Sequence, residues 1–324
     1  MIRFIFWRLV QSVAVLWAVY TVTFFLLMIT PGDPFSGEKN APQAVKEALA
    51  TRYHLDYLVK EHGTLSAPEK LWYCSNAYFY YLGAACRGDL GPSLTFDSFS
   101  VRDIIAESLP VSLALGSLSL LIALWLGVVL GMWGAVRKNR PADLSVSIIS
   151  LLGVSLPSFV VGVLLLMGFA VALPVFPAGR WGGGWSGLGR VVLPAISLAL
   201  FFVAYISRLS RSATLDVLHS DFVRTARAKG QRPGRVLTLH VGANAALPIL
   251  SYLGPAAANV LVGSFVIEKL FSIPGLGTHF VNGCLNKDIP LVLGAVLVYS
   301  AMVVLFNLLV DIAYATVDPR IALH

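Results

Sequence analysis

The chain has 324 residues, 57% of them hydrophobic and only 13% charged, with a mean hydropathy of +0.76. An average soluble domain carries about 25% charged residues, so this composition excludes a soluble globular protein and calls for an integral membrane protein. The net charge of +7 would suggest nucleic acid in a soluble chain, but in a membrane protein basic residues report topology first, and no nucleic-acid partner is expected.

A spanning helix needs about 20 mostly apolar residues. Charge-free runs at 9–32, 108–136, 144–179, 191–207, 241–267 and 289–310 give six spans, hence an all-α polytopic fold. No small-residue cleavage pattern of the A-x-A type follows the first run, so the first span is expected to be retained. Residues 33–107, with seven basic and ten acidic residues, form a second segment, expected to be a small domain on the far side of the membrane. Within it Cys74 and Cys86 are a candidate disulfide for an oxidising compartment, the alternative being two small buried apolar residues. In the run 108–136, Gly127 and Gly131 form a G-x-x-x-G that lets a helix approach closely, either within this chain or from another subunit. The end of the run 144–179 is expected to be a loop, because of Pro174 and Pro177. Pro157, Pro194, Pro248 and Pro255 are candidate bends.

The basic residues concentrate on one side. Arg3 and Arg8 precede the first span, Arg137, Lys138 and Arg140 crowd the 137–143 loop, and seven basic residues face Asp216 and Asp221 in the 208–240 loop. The loops at 180–190 and 268–288 have two basic residues each. The positive-inside rule places both termini and the 208–240 loop in the cytoplasm. The expected organisation is therefore 1–32, an N-terminal cytoplasmic end and first span; 33–107, the outer segment; and 108–324, a five-helix core with the loop 208–240. Asn307 in the last span and Asp311 at its cytoplasmic end, where a carboxylate reaches water, share one helix face and read as a structural cap or helix-bridging contact.

Catalytic signatures fail. Gly182 to Gly187 fits G-x-G-x-x-G by letters, but no strand precedes it and no βαβ unit follows. There is no phosphate-binding loop of the G-x-x-x-x-G-K-[ST] type. The six histidines, His54, His62, His219, His240, His279 and His324, include no metal-site spacing, and no serine lies in a G-x-S-x-G elbow. No enzymatic activity, metal or bound cofactor is expected of this chain.

The 208–240 loop holds the one strongly patterned polar segment. From Leu215 to Lys229 there is no proline or glycine, and Gly230 with Pro233-Gly234 stops the run. Leu215, Leu218, Phe222 and Ala226 recur at helical offsets and make one apolar stripe, with Arg224 and Arg227 pointing elsewhere. Such a helix lies on lipid headgroups, packs on the chain's own spans, or docks into a soluble partner; its small residues favour a protein cleft over lipid.

Arg224-Thr225-Ala226-x-x-x-Gly230, followed by His240, Asn244-Ala245 and Leu247-Pro248, resembles the cytoplasmic loop of permease subunits from bacterial ABC importers, in particular the peptide branch. Further segments resemble that branch in order: Thr30-Pro31-Gly32-Asp33-Pro34, Gly88-Asp89-Leu90-Gly91-Pro92-Ser93, Glu268 with Phe271 to Gly277, and Asn307, Asp311, Tyr314 and Asp318-Pro319-Arg320-Ile321. Arg224 stands where other branches have Glu, and residues 57–77 look longer than the common form. The resemblance implies a type I importer permease fold in a bacterial inner membrane. It also implies a second homologous permease subunit, two cytoplasmic ATPase subunits that bind ATP and Mg, and an extracytoplasmic peptide-binding protein. The helix around 215–230 would be the coupling helix: Leu218, Phe222 and Ala226 filling an ATPase cleft, Thr225 within the signature, Arg224 and Arg227 at its rim, Gly230 permitting the turn out. The cargo would be oligopeptides or dipeptides. Metal chelates or other small solutes are the alternative, and an autonomous secondary transporter or channel is the rival of a different class; the latter would need intramembrane charge or an inverted repeat, and the spans contain neither.

Overall fold

A computed structural model describes residues 2–30, 51, 67–96, 99–179, 181–182 and 188–317. The sequence motifs at 31–34 and 318–321, most of 182–187 and three of the histidines lie outside these residues. Among the described residues the only β feature is an isolated bridge between Pro92 and Ser100; the rest of the regular structure is helical.

The helices are α1 (Ile2–Ile29), α2 (Ala67–Cys86), α3 (Val101–Val136), α4 (Pro141–Ser155), α5 (Ser158–Leu165, continued by a π-helical turn Leu166–Ala172), α6 (Leu188–Leu218), α7 (Asp221–Ala228), α8 (Ala243–Leu270), α9 (Leu276–Asn286) and α10 (Ile289–Val317). Five segments are long and apolar enough to cross a membrane, and the two halves of the bent pair α4–α5 reach that measure only when taken together as a sixth. The six charge-free runs therefore all become helical. The shortest of them, 191–207, is embedded in the 31-residue α6. The run 144–179 does not make one straight rod. Its two halves meet at 105°, because Pro157 has no N–H to give to the ladder and holds Leu156 extended (φ −93°, ψ 125°). Helix then stops at Ala172, before Pro174 and Pro177. Pro194, Pro248 and Pro255 lie inside helices that continue through them.

The chain packs as two units. One contains Ile2–Val111 and Gly275–Ala301. Its core is Tyr20, Phe24 and Met28 of α1, Ala77, Tyr78 and Tyr81 of α2, and Ile289 and Leu293 of α10. The described part of the 33–107 segment thus shares its core with membrane spans instead of building one of its own. α3 opens on Ser100, whose Oγ accepts from the Asp103 N–H at 3.2 Å and donates to the Asp103 carboxylate at 2.6 Å, a reciprocal N-terminal cap. Cys74 and Cys86 require a correction. Both lie on α2 and are free thiols; twelve residues of helix separate them by about 18 Å, far beyond the reach of a disulfide. Burial raises the pKa of the Cys74 thiol.

The other unit contains Ser112–Pro274 and the chain from Met302 onward, and α6 is at its centre. α3 crosses α6 through its glycines: a Cβ on Gly127 would stand 2.8 Å from Ile206, and one on Gly131 would collide with Ser210 and the Ser207 carbonyl. The G-x-x-x-G is thus used for contact within this chain. On another side of α6, α4 is fixed by polar pairs at two levels. Ser150 and Ser207 hydroxyls meet at 2.6 Å, and the Asp143 carboxylate takes a two-pronged bond from Arg211, Nε–Oδ1 2.5 Å and Nη2–Oδ2 2.8 Å. Asp143 also accepts from the Asn139 N–H at 2.9 Å. In α10, Asn307 sits against Gly254 of α8, close enough that an added Cβ there would meet Oδ1 at 3.0 Å.

Candidate functional site

α6 does not run on into the patterned segment as one helix. It ends at Leu218, and α7 begins at Asp221. The break has a local cause. His219 Nδ1 donates back to the Leu215 carbonyl at 2.6 Å and Ser220 Oγ to the Val217 carbonyl at 2.6 Å, so side chains take up carbonyls that a continuing helix would have used. Ser220 then turns extended (φ −72°, ψ 151°) as the N-cap of α7, and Asp221 in the first turn suits the positive end of the helix dipole.

α7 is closed at its other end by Gly230. Its φ is +72°, the left-handed conformation glycine adopts without a Cβ penalty. The Gly230 N–H bonds to Arg227 O at 2.9 Å and the Gln231 N–H to Ala226 O at 3.3 Å. This pair of bonds is a Schellman motif. Gln231 Oε1 lies 2.9 Å from His240 Nε2, and Asn244 Nδ2 donates to the His240 carbonyl at 2.8 Å. His240, singled out in the sequence, therefore ties the returning segment of the loop to the exit from α7, while Asn244 bonds one turn back within that returning segment. That return passes a single turn at Pro233–Arg235 and a π-helical stretch Val236–Gly242 before α8.

The seven residues assigned to docking divide between two faces. Ala226 is buried together with Val223, Val236 and Val241, and Leu218 packs against that cluster. Phe222, Arg224, Thr225, Arg227 and Gly230 are exposed, Phe222 at 46%. The stripe Leu215–Leu218–Phe222–Ala226 therefore splits, because the break at 219–220 resets the helical phase. Val223, absent from the predicted stripe, faces inward and Phe222 outward. The only ion pair of α7 among the described residues, Arg224 to Asp221 at 3.6 Å, is itself mostly exposed. The outward face thus offers one large apolar side chain among basic ones, on a helix whose back is anchored by apolar packing.

Sequence reading missed a second polar centre, in the unit formed by 2–111 and 275–301. Lys287 and Asp288 are both buried. The Asp288 carboxylate accepts from Ser93 Oγ at 2.5 Å, from the Leu94 and Thr95 N–H groups at 3.0 Å each, and from the Leu291 N–H at 3.2 Å. It thereby caps α10 and gathers the end of the Gly88–Ser93 motif in one step. Lys287, left-handed at φ 56°, donates its ammonium to the Thr30 carbonyl at 2.7 Å, holding the start of the Thr30–Pro34 motif. Beside this centre the His279 ring meets Phe96 edge-on at 5.4 Å, and burial lowers its pKa, with Glu107 opposing. The signal available in the sequence was an adjacent Lys-Asp directly before an apolar run, an N-cap position. Among the described residues no group of His, Cys, Asp and Glu is placed to hold a metal.

Six apolar helical segments joined by a basic loop with a short anchored helix define a multi-span membrane protein. Comparison with known proteins gives the class a family. The profile described as binding-protein-dependent transport system inner membrane component matches residues 127–323, more than half of the chain and all of the loop. The oligopeptide transport system permease protein OppB of Haemophilus influenzae is 40% identical over 321 residues, 99% of each chain, and that of Escherichia coli is 39% identical over the same share. The dipeptide transport system permease protein DppB of Bacillus subtilis is 38% identical over 319 residues, 98% of this chain and 96% of the relative. The chain belongs to the family of inner membrane components of binding-protein-dependent transport systems.

Proposed function

We propose that this chain is one of two homologous membrane-spanning subunits of an ATP-driven importer that carries oligopeptides or dipeptides into the cytoplasm. An outer binding protein delivers the peptide, and two cytoplasmic ATPase subunits bind and hydrolyse ATP with Mg; this chain binds neither. The loop 208–240 and both termini face the cytoplasm, a placement supported by the concentration of basic residues on that side. α7 is the coupling helix. Its face for the ATPase is Phe222 with Arg224, Thr225, Arg227 and Lys229, and Gly230 lets the chain leave the cleft. Ala226 and Leu218 serve the same surface from behind, by fixing α7 to the loop.

The observation that carries this reading is the fixed path from α7 to the bundle. α7 is joined through two residues to α6, and α6 is clamped to α3 by glycine contacts and to α4 by Ser150–Ser207 and Asp143–Arg211. A ligand shifts a conformational equilibrium only through differential binding to its two states. A partner that grips α7 differently before and after ATP binding therefore biases three spans together. The peptide cargo is supported by the identity along the whole chain to permeases named for oligopeptide and dipeptide transport.

The test is a mild-detergent pull-down of the tagged chain from its native cells. Recovery of an ATPase pair and a second six-span subunit, with loss of the ATPases alone on Phe222→Ala, is the expected result. A chain recovered alone from several detergents would overturn the proposal in favour of an autonomous transporter.

A further inference from the structure

We infer that α2 is a membrane-interface helix: its outward face, Trp72, Phe79 and Tyr80, sits in the headgroup and upper acyl region of the outer leaflet and binds lipid. The inference goes beyond the transport reading and rests on it only for which side of the membrane is the outer one.

The first argument is depth. α2 does not stand clear of the spans. Its inner face packs on Tyr20, Phe24 and Met28 of α1, and the span formed by α1 ends at Ile29. Nine residues of helix are about 13 Å, so α2 lies beside the outer third of α1. On α10 it meets Ile289 and Leu293, the opening turns of the last span. A helix whose back rests on the bilayer-embedded part of two spans has its front at the same depth.

The second argument is the composition of that front. From Leu71 to Cys86 α2 has no charged residue. A helix between a protein core and water carries its charges on the outer face. Here that face is Trp72 at 61% exposure, Phe79 at 67% and Tyr80 at 48%, with the uncharged Asn76 exposed between them. Tryptophan and tyrosine, with an apolar body and one polar handle, are the residues of the membrane–water boundary. The first charge after them, exposed Arg87, follows the end of the helix, where a cation reaches phosphate.

The third is continuity with the lipid-facing side of α1. Phe25, 40% exposed on α1, stacks on Tyr78 of α2 at 5.8 Å and 17°, and Tyr78 meets Phe79 edge-on at 5.2 Å. Exposed Val22, Leu26 and Ile29 of α1 extend the same apolar surface. The bilayer that covers those residues continues onto α2.

The test places a nitroxide on α2 in the full-length chain, reconstituted in nanodiscs of phosphatidylcholine and phosphatidylglycerol. Two proteins carry the label on α2, and a third carries the reference. One keeps native Cys86 as its sole cysteine (Cys74→Ser, Cys284→Ser), which leaves the aromatic face intact; the other replaces all three cysteines by serine and adds Phe79→Cys. Power-saturation electron paramagnetic resonance compares collisions with oxygen, which concentrates in lipid, and with a water-soluble nickel chelate. A label at Phe222→Cys gives the aqueous reference. Expected is oxygen several-fold more effective than the chelate at position 79, with position 86 intermediate between 79 and 222. The aqueous ordering at 79 would overturn the inference. So would protection from both reagents, which would assign the face to a second copy or another protein.

Discussion

The two polar centres of this protein are built in opposite ways. At α7 the apolar residues go inside and the charges outside: Val223 and Ala226 are buried, while Arg224 and Asp221 form a loose, solvated pair. At Lys287–Asp288 the charges go inside. Asp288 is fully buried, and its carboxylate satisfies an N-cap, a hydroxyl and two loop N–H groups. Exposed pairs contribute little because water competes for them, whereas a buried carboxylate is tolerable only when every lone pair has a partner. The first arrangement leaves charge free to meet a partner; the second spends it on holding three chain segments in register.

The largest effect is therefore expected at the buried centre. Asp288→Ala takes the shared acceptor from Ser93 Oγ and from the N–H groups of Leu94, Thr95 and Leu291, and each buried group left unsatisfied costs about 1–3 kcal/mol. We expect a sharp fall in the yield of folded protein and in the melting temperature of what remains. Asp288→Asn keeps an acceptor and should lose clearly less. An Asp288→Ala protein that melts like wild type would mean that the buried carboxylate fixes nothing.

The clamp between α4 and α6 is intermediate. Arg211 is 29% exposed and Asp143 7%, so the pair lies between the exposed and the buried case; Arg211→Ala should cost about 2 kcal/mol. A double-mutant cycle with Asp143→Ala reads the coupling directly. A coupling near zero would remove α4 from the body proposed to move with α6.

At α7 the effects should fall on transport and spare the fold. A Cβ at Gly230 meets nothing within 4 Å, so Gly230→Trp costs this chain only the left-handed backbone, about 1–2 kcal/mol, yet puts an indole where a partner approaches. Uptake should be abolished with membrane insertion intact, and Gly230→Ala should retain more uptake. Ala226→Glu is a different experiment, since Ala226 is in the loop's own core and a carboxylate there should loosen the loop before any partner is met. Phe222→Ala removes the exposed anchor alone. A buried aromatic anchor in an interface is worth about 2 kcal/mol or more, so co-purified ATPase should fall while the melting temperature stays put; unchanged recovery would move the docking face elsewhere on the loop.

The spans were legible in the sequence because uninterrupted hydrophobicity is itself the requirement for crossing a bilayer. Gly230 was legible because only one residue type adopts its backbone at no cost. The apolar stripe was read wrongly at Phe222 and Val223. The pattern presumes an unbroken helix, and two side chains, His219 and Ser220, ended it by bonding to carbonyls of α6. The cysteine pairing failed for a related reason: nearness in sequence is distance on a helix. Asp288 left only the trace of a possible N-cap, since its partners lie almost 200 residues away, and no local pattern carries such a contact.

The smallest effect sharpens the contrast most. The Arg224–Asp221 pair is 3.6 Å long, with side chains 72% and 97% exposed, so breaking it by Asp221→Asn should produce no resolvable change in melting temperature. If α7 is a docking helix, the same substitution frees Arg224 for a partner's carboxylates, and the attraction it gains is screened by salt. We therefore expect slightly stronger ATPase association at low ionic strength, with the difference vanishing as salt rises. Arg224→Gln should shift association the other way. Changes of equal size and sign in both variants, independent of salt, would show that the pair acts on the fold of α7, and the distinction between a centre for holding and a centre for docking would then fail at this end.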